Sequence, residues 1–129
     1  REDLFRIQSD SIIKIANEGS AIFVGRCADY ILRERINCLN VFITANVEDR
    51  INRLLECGKI PNAEKYSKEE IEELLEKSDN KREGYYNYFT YKQWGAASSY
   101  DLCLNSSLLG IEGCVKIISE IIRGKGWSK

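Results

Sequence analysis

Three short apolar runs constrain this chain more than any other feature: Ala21-Ile22-Phe23-Val24, Leu39-Asn40-Val41-Phe42-Ile43-Thr44-Ala45 and Tyr100-Asp101-Leu102-Cys103-Leu104-Asn105. The first runs on without alternation and stops at Gly25, the pattern of a strand buried on both faces, as parallel sheets require. The second repeats it, and the third gives a third strand. Helical patterns lie between them. Leu4, Phe5, Ile12, Ile13 and Ala16 mark an opening amphipathic helix that Asn17-Glu18-Gly19 stops. Residues from Arg26 to about Arg33 read as a short helix, and Asn46 is placed to cap another that begins Val47-Glu48-Asp49. Strand, helix, strand, helix predicts right-handed crossovers in a parallel sheet, hence an α/β protein.

The middle of the chain departs from that rhythm. The single proline, Pro61, sits in a loop between Gly58 and Tyr66, after which Ser67-x-x-Glu70 forms a capping box before Ile71, Leu74 and Leu75. The helix that follows is long and charged and runs to about Phe89. Its apolar stripe is narrow, which predicts light packing and a flap-like, lid-like helical insertion over residues 58–95. Ile111, Val115, Ile118 and Ile122 mark a final core-facing helix, and residues 124–129 read as a frayed tail.

At 129 residues the chain is one domain or part of one. With 43% hydrophobic and 30% charged residues it is globular, and its net charge of −1 supplies no global field for a nucleic-acid backbone or an acidic membrane. Any anion site must therefore be local. No apolar run approaches the ~20 residues of a membrane span, and the charged opening Arg1-Glu2-Asp3 is no signal peptide, so a cytoplasmic protein is expected. Five cysteines without a Cys-x-x-Cys pair, and no histidine, argue against metal sites and disulfide frameworks. Four of the five cysteines lie in or beside apolar segments and read as small core residues. Ser-His and Cys-His machinery is excluded, and any acid–base role falls to carboxylates.

Ligands of open parallel sheets bind at the carboxyl ends of the strands. The residues there are Gly25-Arg26-Cys27-Ala28-Asp29, the segment from Asn46 to Arg53, and Asn105-Ser106-Ser107. A Gly-Arg step lets the backbone turn sharply and aims a guanidinium across the sheet, where it can fork onto a phosphate or simply remain a surface arginine. Arg50-x-x-Arg53 sets two guanidinia on one helix face, as phosphate ligands or as two solvated arginines. Asp79-x-x-Arg82 places neighbours at i,i+3, either a site pair or a plain surface ion pair. The aromatic run Tyr85, Tyr86, Tyr88, Phe89, Tyr91, Trp94 is dense enough to stack a base and equally suited to packing the flap on the body. Guanidinia from a strand end, a helix start and a flap, converging over a parallel sheet, are what phosphoryl transfer requires.

These residues together resemble the cytidylate-kinase-like proteins of the nucleoside monophosphate kinase group. The resemblance rests on Val24-Gly25-Arg26-Cys27-Ala28-Asp29-Tyr30-Ile31-Leu32, Arg50-x-x-Arg53, Asp79-x-x-Arg82-x-x-Tyr85-Tyr86, Thr90-x-x-x-Trp94-Gly95, Tyr100-Asp101-Leu102 and Asn105-Ser106-Ser107, and spans nearly the whole chain. It implies a three-layer α/β/α P-loop kinase-like fold with a helical lid. It also implies ATP-dependent phosphoryl transfer to a nucleoside monophosphate, CMP first among them, with ATP and Mg²⁺ as cofactors. By the same resemblance Arg26 binds the acceptor phosphate, Arg50, Arg53 and Arg82 belong to or border the lid and act catalytically, and Asp79 with Arg82 touches the acceptor nucleotide, the carboxylate at the ribose.

Two departures stand out. Those kinases carry Asp directly after the strand-end Arg, where this chain has Cys27, which leaves Asp29 as the candidate polar contact to the acceptor. No Gly-x-x-x-x-Gly-Lys-Ser/Thr occurs among the nine glycines, so the donor-phosphate cradle is missing. The sequence therefore reads as the carboxyl-terminal two-thirds or so of a kinase, a single partial domain over 1–129 that alone should be inactive. In the family the P-loop strand lies between the strands that here start near Ala21 and Leu39, so a slot is expected there, filled by an upstream segment or a partner chain. A non-enzymatic nucleotide-binding module and a kinase for another small acceptor are the alternative readings.

Overall fold

The structure is a computed structural model that describes residues 2–127. Helix α1 (Glu2–Glu18) leads through an irregular segment to the single turn α2 (Ala28–Ile31). Strand β1 (Val41–Thr44) is followed by α3 (Val47–Glu56), a 3-10 turn at Ala63–Lys65 and the long α4 (Lys68–Thr90). A second 3-10 turn, Ala97–Ser99, precedes β2 (Leu102–Asn105) and the last helix α5 (Ser106–Lys125). Strands β1 and β2 pair in parallel, with Val41 opposite Leu102 and Thr44 opposite Asn105. The predicted α/β character with parallel strands is therefore present, and α5 packs back on both strands.

The run 21–24, predicted as a strand buried on both faces, forms no regular element and joins no ladder, and Ile22 and Val24 are 94% and 89% exposed. A run of this kind becomes a strand only when a neighbour satisfies its N–H and C=O groups, and none lies beside it among the described residues. Among the described residues no ladder joins it to β1, which pairs with β2. The two-strand sheet is likewise half open: Ile43 is 48% exposed, and Cys103, expected inside, is exposed.

Apolar burial is divided between two small clusters. Ile12 of α1 meets Ala28 and Leu32, with Ala16, Phe23, Ile31 and Cys38 around them. Ile51 of α3 meets Ile71 and Leu75 of α4, with Leu54 and Ile60 beside them. The accessible surface is 9628 Å²; a compact monomer of this size would expose about 7,000 Å². Large apolar side chains, Ile22, Val24, Ile36 and Leu108 among them, therefore remain open to solvent.

Local rules account for most element ends. Ser67 and Glu70 form the predicted capping box, the Ser67 hydroxyl accepting from the Glu70 N–H at 3.1 Å and the Glu70 carboxylate from the Ser67 N–H at 3.0 Å. Asn46 occupies the cap position of α3, but its side chain makes no capping bond; its own N–H donates instead to Ser107 Oγ at 2.7 Å. The helix expected from Arg26 to Arg33 shrinks to one turn. The final helix is broken at Gly110, whose φ of 73° and ψ of 164° are non-helical, and a first turn over 106–109 follows β2 directly. The main run starts at Ile111, as the apolar pattern predicts, and ends at Lys125 with Gly126 at φ 72°, but Ile111 and Val115, expected to face the core, are 60% and 56% exposed. Of the predicted tail, residues 128 and 129 lie outside the described residues.

Candidate functional site

The turn after residues 21–24 is the most strained stretch of backbone. Gly25, Arg26 and Cys27 follow one another at φ 72°, 59° and 59°, all left-handed. For a non-glycine residue this conformation costs roughly 1–2 kcal/mol. Backbone bonds hold the turn: Ala28 N–H donates to Gly25 O at 3.2 Å, and Tyr30 and Ile31 N–H both donate to Cys27 O. Cys27 is buried, at 4% exposure, and loss of hydration pushes its thiol up to about 11, Asp29 adding to the shift. Arg26 stands exposed with no hydrogen bond or ion pair among the described residues, so its guanidinium is uncommitted.

Helix α4 carries the second part of the site. Asp79 accepts two parallel bonds from Arg50 of α3, each 2.8 Å, and a third from Arg82 one turn on, at 2.9 Å. The hydrogen bond from Arg50, and then the charges of both arginines, hold the Asp79 carboxyl below its ordinary range against a partial desolvation that works the other way. Arg53 points elsewhere: its side chain is exposed and makes no such contact among the described residues. Of the predicted arginines, two are thus assembled around one carboxylate and two are free.

The two parts meet through Tyr86, which the sequence shows in the aromatic run and beside Asp79-x-x-Arg82 without revealing its link to Asp29. Tyr86, 6% exposed, donates its hydroxyl to Asp29 Oδ2 at 2.6 Å, while Asp29 Oδ1 accepts from the Tyr30 N–H at 2.8 Å. Burial first, and then Asp29, keep the Tyr86 hydroxyl protonated well above the usual tyrosine range. Asp79, Arg82 and Tyr86 are at i, i+3 and i+7, one stripe of the helix, with about 10 Å of axial rise between the first and the last. The strand-end loop and the Arg50–Asp79–Arg82 cluster therefore share one face of α4. The available signal was this i+7 register, together with an otherwise unexplained carboxylate at 29.

The aromatic run does structural work. Tyr86 stacks near Tyr100, with centroids 6.2 Å apart, Tyr100 leans on Phe42 of β1 at 4.8 Å, and Trp94 meets Phe42 edge-on at 5.2 Å. Phe89 stacks on Phe5 of α1 at 4.1 Å, and Tyr85 and Tyr88 donate to Gln8 and Glu2. The carboxyl-terminal half of α4 is thus built onto α1 and the sheet, more firmly than its narrow stripe predicts. Tyr91, 90% exposed, packs on none of this.

The family-like stretch 105–107 also has a structural use. Asn105 accepts from the Ser107 N–H at 3.0 Å as the cap of α5, and Ser106 donates to Thr44 O at 2.9 Å, tying the two strand ends together. Two shallow depressions open elsewhere, one on α5 beside Ile111 and Val115 and one between α3 and the start of α4 beside Glu48 and Tyr66.

For the donor phosphates and Mg²⁺ the fit fails among these residues. The sequence has no glycine-rich phosphate loop, and no group of three or more Cys, Asp or Glu side chains is placed to hold a metal among the described residues. No helix among them is long and apolar enough to cross a membrane.

No curated protein is matched. An uncharacterized protein from Eubacterium ventriosum ATCC 27560, known from its crystal structure, superposes with a TM-score of 0.84 at 26% identity, over 95% of this chain and 66% of its own length. The present chain thus spans just under two-thirds of that relative. Residues 1–108, which include the strained turn, the arginines and the whole of α4, match the cytidylate kinase-like family, and the chain belongs to that family.

Proposed function

We propose that this chain supplies the acceptor side of an ATP-dependent nucleoside monophosphate kinase, with CMP as the acceptor. The observation that carries the reading is the single face of α4. Asp79, Arg82 and Tyr86 line it, Arg50 is forked onto Asp79, and Asp29, three residues after the free Arg26, is bonded to Tyr86. A phosphate monoester enters such a site already ionised near neutral pH, its second pKa being about 6. Its oxygen can attack the γ-phosphoryl group without a general base, and a chain with no histidine suits that chemistry.

In this reading Arg26 takes the acceptor phosphate. Arg50 keeps the N–H groups not spent on Asp79 for the charge that spreads over the transferring group, Arg82 and Arg53 complete the cationic rim, and residues 58–95 form the lid. Asp79 reaches the ribose with the lone pairs left by its two arginines. ATP and Mg²⁺ are held by residues outside these 129, inserted at the open edge of β1 where residues 21–24 find no neighbour. The excess exposed surface and the unpaired segment 21–24 support that slot. The enzyme works in the cytoplasm, where its nucleotide substrates are.

A second reading, a non-enzymatic nucleotide-binding module, is favoured by one observation, the absence of a phosphate loop within this sequence. One experiment separates the two. The protein expressed from its complete reading frame is assayed with ATP and each nucleoside monophosphate, with binding measured in parallel by calorimetry. Turnover with CMP supports the kinase; binding of CMP without turnover supports the module.

A further inference from the structure

We propose that Tyr86 is a positioning residue for the acceptor, acting through Asp29. The inference rests on the acceptor-site reading above and deepens it: that reading places Tyr86 on the site face of α4 and bonded to Asp29, without saying what the bond does.

Asp29 is half-buried and sits on a one-turn helix that follows three successive left-handed residues. Such a short, strained segment fixes its side chains poorly by itself. Two bonds pin the carboxylate, one to each oxygen: the Tyr30 N–H at 2.8 Å and the Tyr86 hydroxyl at 2.6 Å. The first comes from the adjacent residue and moves with the turn. The second comes from another element and sets the carboxylate relative to α4.

Tyr86 is itself held firmly. Its ring is 6% exposed and stacks near Tyr100, and Thr90, 2% exposed, donates to its carbonyl at 2.7 Å. A rigid phenol donating to a carboxylate on a less constrained loop is the arrangement by which an outer residue orients an inner one. It leaves Asp29 with its remaining lone pairs aimed away from Tyr86. One N–H or O–H donor of the acceptor nucleotide can then be received in a fixed direction.

The test uses Tyr86→Phe, which keeps the ring and removes the hydroxyl, in the protein expressed from its complete reading frame. CMP binding by calorimetry, KM and kcat, and Tm are measured for the wild type, Tyr86→Phe, Asp29→Ala and the double variant. Tyr86→Phe is expected to raise both the dissociation constant and the KM for CMP about tenfold, with kcat within about twofold. In the Asp29→Ala background, where the hydroxyl has lost its acceptor, the same change is expected to add less than about twofold, because the hydroxyl acts only through that carboxylate.

A Tyr86→Phe protein with a lowered Tm and unchanged CMP binding overturns the proposal and leaves the acceptor-site reading standing. An equal loss in the presence and absence of the Asp29 carboxylate also overturns it. A wild-type protein that binds no nucleoside monophosphate removes the acceptor site and this proposal with it.

Discussion

Arg50 of α3 and Asp79 of α4 form a two-pronged ion pair, both bonds 2.8 Å, with about a quarter to a third of each side chain exposed. Between the two helices Ile51, Ile71 and Leu75 are buried, with Leu54 and Ile60 beside them, and this pair, with that of Glu48 and Lys68, adds direction to an otherwise apolar contact. The Arg50–Asp79 pair fixes the plane of the Arg50 guanidinium, and a planar group with two donors committed presents its remaining donors in one direction. The pair is thus both a brace for α4 and the orienting element of the arginine cluster.

Asp79→Asn should lower stability by about 1 kcal/mol, a figure already reduced for solvent screening of a partly exposed pair. The acid limb carries the sharper signature. A carboxyl held below its ordinary value in the folded state contributes stability that is fully present above the unfolded value, near 4, and is lost as pH falls through the lower folded value. Thermal unfolding of the wild type should therefore weaken below about pH 4 more steeply than that of Asp79→Asn. Parallel acid limbs would show that the pair contributes nothing.

In the proposed function the same carboxylate reaches the acceptor ribose, which gives an independent kinetic expectation. Asp79→Ala should narrow the preference for CMP over dCMP, because only the ribonucleotide offers a 2′-hydroxyl. Arg82→Ala should lower turnover more than affinity, as expected of a contact formed mainly in the closed, reacting state. Steady-state kinetics on both variants with both acceptors checks this; an unchanged sugar preference would return Asp79 to the role of brace alone.

The left-handed turn makes a prediction in which stability and binding move oppositely. Arg26→Gly removes the Cβ strain at φ 59° and should raise unfolding stability by roughly 0.5–1 kcal/mol, while the lost guanidinium weakens acceptor binding by about 1.5–3 kcal/mol. Gly25→Ala meets no atom within 4 Å, so its cost of about 1–2 kcal/mol would come from backbone conformation alone. Denaturant unfolding and calorimetric CMP titration measure the two effects. A loss of stability in Arg26→Gly would contradict the strain.

Thiol chemistry tests the burial of the same turn. Cys57 and Cys103 are exposed, Cys27 and Cys114 buried, and the Cys27 thiol is pushed up to about 11. At pH 8 an aromatic disulfide reagent should label Cys57 and Cys103 quickly and Cys27 only as fast as the turn opens. Peptide mapping after timed quenching identifies the sites; early labelling of Cys27 would contradict the packing.

Much of the local structure could be read directly from the residues. The Ser67–Glu70 box, the long helix after it and the strand pattern around Val41 and Leu102 depend on neighbours in sequence, and they stand where those neighbours put them. Ile22 and Val24 show the limit: an apolar run announces that it needs a sheet on both sides and carries no information on whether a neighbouring strand is at hand. The site divides in the same way. Asp79 and Arg82 are one turn apart, so their pairing was visible, whereas Arg50 reaches Asp79 across 29 positions and Tyr86 reaches Asp29 across 57. Those contacts come from the packing of α4 on two different elements. Aromatic residues that looked free to stack a base are mostly consumed by that packing.

The most direct test of the central claim is phosphoryl transfer from ATP to CMP by the protein expressed from its complete reading frame, compared with the 129-residue chain alone and with Arg26→Ala. The account predicts turnover near the typical enzyme value of about 10 per second for the first. It predicts no measurable transfer by the 129 residues, which lack a phosphate loop, and about a tenfold or greater loss of CMP affinity in Arg26→Ala. Transfer at a kinase-like rate by the 129 residues alone, or full acceptor affinity without Arg26, would contradict it.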